Sequence, residues 1–144
     1  MKAKLIDDDR QKTYVLVFET GDEVSELLLS FAGEHSIDCA QLAGLGAFSR
    51  VVLGYFDWAR KDYERIPVEE QVELLSLVGD IARGEDGSPK LHAHVVVGRR
   101  DGSAAGGHLI EAHVRPTLEL VLVESPAHLR RRSDPETGLA LISL

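Results

Sequence analysis

The apolar and polar residues of this chain fall into short alternating runs punctuated by turn residues, and helical spacing stands out once. Leu5-Ile6 is a short apolar start. Thr13 to Thr20 (TYVLVFET) is β-branched and aromatic and predicts a strand, which Gly21-Asp22 breaks. Asp22 is a suitable helix N-cap, and Ser25 and Glu26 suit a first turn. Val24, Leu27, Leu28, Phe31 and Ala32 then recur at helical spacing, so an amphipathic helix is expected from Asp22 to about His35. Ile37 to Phe48 is largely apolar and carries Gly44 and Gly46. Glycine in a strand-like run points to a bulge or a close backbone approach.

Further strands are predicted at Ser49 to Trp58, Tyr63 to Val68 and Leu91 to Val97. Val72 to Ile81 fits either period, and Gly79 with the branched residues favours strand. Arg83 to Pro89 is a polar turn, and Asp101-Gly102 is a hairpin signal. His108 to Val114 and Thr117 to Val123 read as two strands separated near Pro116. After the turn at Asp134 to Gly138, Leu139 to Leu144 closes the chain as a strand. The expected fold class is α+β, a mostly antiparallel sheet in hairpin order with one main helix near the N-terminus, filling residues 1–144 as one domain.

The candidate chemistry sits on this strand pattern. His92 and His94 are two apart on a predicted strand and so share a face. His108 arrives in the next strand. Neutral imidazoles suit zinc, copper, iron or nickel, and three histidines with an open fourth position suit catalytic zinc. Parity sets a condition. A simple two-residue turn at Asp101-Gly102 places His108 opposite Val95, facing away from His94. A one-residue slip reverses the face. A longer loop would supply it, as would a bulge at Ala105-Gly106-Gly107. The plainer alternative is three sheet histidines bonded to backbone or water. Glu111 is a candidate fourth ligand, general base or tautomer-fixing acceptor, or else a solvated carboxylate. His113 shares its face. His35, at the expected helix C-terminus, suits capping, and His128 reads as an ordinary loop residue.

Composition narrows the function classes. The chain has 144 residues, 16 Lys and Arg against 24 Asp and Glu, and a formal charge of −8, which on average repels nucleic-acid phosphates. The basic runs Arg130-Arg131-Arg132 and Arg60-Lys61 are short enough to be a solvated face or a structural ion pair. Cys39 is the one cysteine and is expected to be a buried hydrophobe. The basic start has no apolar h-region after it and no run reaches membrane-span length, so a cytoplasmic location is expected.

Several segments, in order, resemble the PPC (plant and prokaryote conserved, also written PCC) domain in its stand-alone prokaryotic form. They are Gly21-Asp22-Glu23-Val24, Leu45-Gly46-Ala47, Val72 to Gly79, Leu91-His92-Ala93-His94, Gly106-Gly107-His108-Leu109 and Arg132 to Leu139. The resemblance implies a homotrimer with a fold similar to acetolactate decarboxylase. It also implies a divalent metal, zinc first, on His92, His94 and His108, with a small-molecule or catalytic site there and Glu111 as possible proton carrier. Plant relatives join the domain to an AT-hook and regulate in the nucleus by binding DNA. That offers a DNA-binding or partner-binding module as the alternative, although this chain has no Arg-Gly-Arg-Pro element. A third reading is a structural trimer that the metal stabilises.

Overall fold

The computed structural model describes residues 1–7, 11–125 and 129–143, which leaves His128 outside the described residues. In chain order the elements are β1 (Lys2–Asp7), β2 (Thr13–Glu19), α1 (Val24–Glu34), β3 (Cys39–Asp57), β4 (Asp62–Val68), β5 (Val72–Arg83), β6 (Pro89–Gly98), β7 (Ala104–Glu124), β8 (Arg130–Ser133) and β9 (Ala140–Ser143). The expected α+β class needs correction: the described residues form nine strands and one 11-residue helix, so the fold lies nearer all-β. The ambiguous segment at Val72 resolves as strand. Its Leu74, Leu77 and Ile81 face inward with one slip between Leu74 and Ser76, an arrangement that alternation with a bulge produces.

Two expected breaks are absorbed within long strands. Ser49 does not end the apolar run before it, and β3 continues for 19 residues. Pro116 does not divide the segment around it into separate strands. Phe48 pairs with Val114 and Gly46 with Leu118, so the proline falls in a register shift of the 21-residue β7 where no ladder hydrogen bond is asked of it. Gly46 fulfils the close approach expected there: a Cβ at this position would lie 2.4 Å from Thr117 O. At the helix start, Glu23 rather than Asp22 is the N-cap, its carboxylate accepting from Glu26 N at 2.6 Å. Asp22 instead accepts from Glu19 N and pairs with the N-terminal amine.

Pairing closes a ring of four strands. β3 and β7 run together from Ala40 opposite Glu124 to Gly54 opposite His108. β5 lies on the other edge of the first half of β3, and β4 on that of the second half. β6 joins β5 to the start of β7, so β3, β5, β6 and β7 meet in a cycle. β2 and β1 extend from the end of β7, and the β8–β9 hairpin hangs on β5 through Arg83 and Arg130.

The inner face carries the core, including Leu16, Phe18, Phe48, Leu53, Leu77, Val95, Val97, Leu118 and Leu120, and α1 adds Val24, Leu28, Phe31 and Ala32. Cys39 is buried as expected. The outer face is unusually apolar for a surface, with Leu45, Leu75, Val78, Val96 and Val121 all exposed. The histidines stand on that outer face. Among the described residues no helix is long and apolar enough to cross a membrane.

Candidate metal centre

The β6–β7 connection decides which face His108 takes. Gly98 pairs with Ala104, leaving Arg99 to Ser103 as a five-residue loop. Gly102 N donates to Arg99 O (2.9 Å), Arg99 N to Ser103 O (2.8 Å), and Asp101 accepts from Ser103 N and Oγ. Gly102 sits at φ +82°, the left-handed region that a residue without Cβ enters at little cost. The odd-length loop supplies the one-residue slip, and His94 stands directly opposite His108. The alternative source of slip, a bulge at Ala105-Gly106-Gly107, does not form: these residues pair in regular register with Val97, Val96 and Val95.

On the outer face the three imidazoles converge. His92, His94 and His108 each present a ring nitrogen, and these lie within 4.8 Å of one another. Ring centroids are 5.2 Å apart for His92 and His94, 5.3 Å for His92 and His108, and 5.6 Å for His94 and His108. The β3–β4 hairpin brings Tyr63 over the third ring, stacked at 4.5 Å from His108.

Burial pushes the His108 pKa down to about 4, and the charges of His92, His94 and Arg131 add to that. Burial and then Arg131 lower His92 as well. Both rings are therefore neutral at neutral pH, which is the form that binds a metal ion. His108 Nδ1 is sealed from water and has no hydrogen-bond partner among the described residues. An unsatisfied buried polar atom costs about 1–3 kcal/mol. Three imidazole nitrogens around one point, with a buried unpartnered nitrogen on His108, fit a divalent ion of the zinc type.

Beside the cluster lies a pocket of about 240 Å³, walled by Tyr63, Leu91, Leu139 and Leu141 and reached by His92, His108, Lys90 and Arg131. Arg131 alternates inward on β8 and is 5% exposed, while Arg130 and Arg132 face solvent. It pairs with Asp80 at 2.6 Å, and Asp80 stands opposite His92 on β5. The basic run thus contains a structural ion pair, as its length suggested. Tyr63 and Asp80 carried no site signal in the sequence, and Arg131 stood out there only as part of a short basic run. Only the inward parity of the middle arginine in a strand without apolar residues could have marked one of them.

The sequence profile of the Plants and Prokaryotes Conserved (PCC) domain matches residues 7–126. The chain belongs to the PCC domain family. Among solved PCC-type structures, a plant- and prokaryote-conserved protein of Pyrococcus horikoshii is 30% identical, with 99% of this chain and 95% of that one covered at a TM-score of 0.86. A presumed DNA-binding protein of Ralstonia eutropha JMP134 is 32% identical over 91% of this chain and 90% of its own, TM-score 0.85. A metal-containing protein of Archaeoglobus fulgidus is 28% identical over 99% and 97%, TM-score 0.84. The fold alone extends further: α-acetolactate decarboxylase of Bacillus subtilis strain 168 superposes at TM-score 0.59 with 12% identity, over 88% of this chain and 58% of the decarboxylase. No curated protein matches closely enough to lend a function.

The remaining candidates of this PCC chain lie apart from the histidine group. Glu111 is on the outer face of β7, but its carboxylate is engaged by Arg50 at 2.7 Å, His113 Nε2 at 3.1 Å and Arg65 at 3.6 Å. The His113 hydrogen bond, with Arg50 and Arg65, holds its pKa below the usual carboxylate range. It does not join the three-histidine group. His35 is the C-cap of α1; its Nδ1 lies 3.0 Å from Phe31 O and its ring stacks on Phe31, the capping role expected.

Proposed function

We propose that this PCC-domain chain is a metalloprotein in which His92, His94 and His108 hold one divalent ion, zinc the first candidate, with a small-molecule site in the adjoining pocket. One observation carries the reading: the three ring nitrogens lie within 4.8 Å of one another on neighbouring strands, with His108 Nδ1 buried and unpartnered. A metal-containing relative of the same family supports it. Such an ion, when bound, supplies Lewis acidity toward a carbonyl or water oxygen. The chain's own residues would set its surroundings: Tyr63 fixes the His108 ring by stacking, and Leu91, Leu139 and Leu141 limit water. Glu111, committed to two arginines, is left out of the proposed centre.

The test is metal content. After incubation with zinc and removal of excess, elemental analysis should give about one ion per chain, and His92→Ala should give none. Equal, substoichiometric zinc in both proteins would sink the proposal.

The exposed apolar face argues for self-association, and a homotrimer is the assembly proposed. Leu45, Leu75, Val78, Val96 and Val121 are spread over β3, β5, β6 and β7 on one side of the sheet. Contiguous apolar surface of this kind marks interfaces. The DNA-binding reading has a relative's name behind it, but the charge of −8 opposes phosphate contact. Retention of duplex DNA at moderate salt in a gel shift would reverse that ranking.

A further inference from the structure

The charge pattern at the pocket runs against that of the chain. The net charge is −8, yet the basic side chains Lys90 and Arg131 line the pocket and no acidic side chain does among the described residues; their partners, Asp86 for Lys90 at 2.9 Å and Asp80 for Arg131, stand outside the lining. Arg131 is nine-tenths buried and incompletely bonded. Nη1 donates to Ala140 O at 2.8 Å and Nη2 to Asp80 Oδ1 at 2.6 Å, while the Nε N–H has no partner among the described residues. Arg131 lines the pocket, and a guanidinium whose N–H groups are not all engaged can donate a charge-assisted hydrogen bond there, which is shorter and stronger than a neutral one.

The rest of the wall narrows the anion. Leu91, Leu139, Ala140, Leu141 and the Tyr63 ring offer contact to hydrocarbon. A phosphate would press oxygens against these groups without donors for them, and unpaired polar atoms are costly there. A carboxylate has two oxygens on one end and can leave an apolar remainder on the other. The volume of about 240 Å³, at roughly 30 Å³ per water, corresponds to a ligand of about six to eight non-hydrogen atoms.

We propose that this pocket takes a small aliphatic carboxylate, its anionic end held by Arg131 beside the histidine centre and its hydrocarbon end against Leu91, Leu139 and Leu141. The inference rests on the metal reading insofar as the histidine side of the pocket is taken to hold an ion.

The probe is butyrate, compared with butyramide as its neutral isostere and with inorganic phosphate. Each is titrated calorimetrically into the full chain, both zinc-loaded and chelator-treated, with zinc content measured on the same samples. Butyrate should saturate at least about tenfold more tightly than butyramide or phosphate. Arg131→Gln combined with Asp80→Asn removes both charges of the buried pair together, and should weaken butyrate by about tenfold without changing zinc content. Leu141→Asp, at an exposed position of β9, should do the same with the pair intact. Equal affinity for butyrate and butyramide would overturn the proposal. So would phosphate as the tightest ligand, or butyrate binding in both variants like wild type. Protein that takes up no zinc on loading yet binds butyrate through Arg131 would leave this inference standing and fail the metal reading alone.

Discussion

Replacing His108 by leucine should stabilise the metal-free protein and destabilise the zinc-loaded one. In the metal-free state the imidazole carries a buried Nδ1 without a partner, a liability of about 1–3 kcal/mol. Leucine removes it and keeps an apolar group of similar size beside the core. The loss is the ring stacked on Tyr63 at 4.5 Å, worth about 0.5–1.5 kcal/mol. The balance favours the variant by about 1 kcal/mol. Zinc reverses the order. At a free concentration one hundred times Kd, an ion that binds only the folded state adds about 2.7 kcal/mol to wild type. The variant lacks a ligand and gains little. Wild type should then lead by roughly 1–2 kcal/mol. The assay is urea unfolding of both proteins at neutral pH, with chelator and with zinc, at one fixed protein concentration because assembly itself shifts apparent stability. Two results would refute the reasoning. If the chelator-treated variant is the weaker protein by more than about 1 kcal/mol, the orphaned nitrogen is not the liability assigned to it. If zinc leaves the order unchanged, the ion does not sit on His108.

Further outcomes test other regions of the structure. The folded-state pKa of His108 lies at about 4, below its ordinary 6.5, so the unfolded chain takes up a proton first as pH falls. Stability should drop between those two values and level off below, with His92 acting in the same direction. The measurement is the difference in urea midpoint between metal-free wild type and His108→Leu across that range, and parallel curves would contradict it. Gly46→Ala places a Cβ 2.4 Å from Thr117 O and 2.7 Å from Leu118 Cα. Forcing β3 from β7 should cost at least the usual overpacking penalty of about 1–3 kcal/mol, so an unchanged melting temperature would show that the strands separate freely. Leu45→Glu, on the exposed apolar face, should lower the mass seen by light scattering from a trimer to a single 15.8 kDa chain. An unaltered mass in the variant would remove Leu45 from the interface, and a monomeric wild type would remove the trimer.

The sequence carried the local features well and the distant ones poorly. Alternation located the strands, and helical spacing at Val24 to Ala32 located the helix, because both are nearest-neighbour patterns. The i, i+2 spacing put His92 and His94 on one face, and the parity argument identified the condition for His108 to join them. The strand breaks read at Ser49 and Pro116 failed because a bulge opposite a partner strand can absorb a turn residue, and the partner is not visible locally. β8 was missed because Arg-Arg-Arg-Ser offers no apolar alternation. Its middle arginine turns inward only because Asp80, 51 residues away, is there to receive it. The apolar wall from Leu139 to Leu141 depends on the same long-range pairing.

The loop from Arg99 to Ser103 behaves as a parity switch for the protein's chemistry. Because side chains on β7 change face at every residue up to its bulge near Ile110, a one-residue deletion in this loop that is passed into the β6–β7 register exchanges His108 with Leu109, sending an imidazole into the core and a leucine to the histidine cluster. Adding two residues restores the face. Length changes that shift the β6–β7 register are therefore compatible with the histidine cluster in even steps and not in odd ones. An exposed turn that touches none of the three histidines thereby controls whether they can act together.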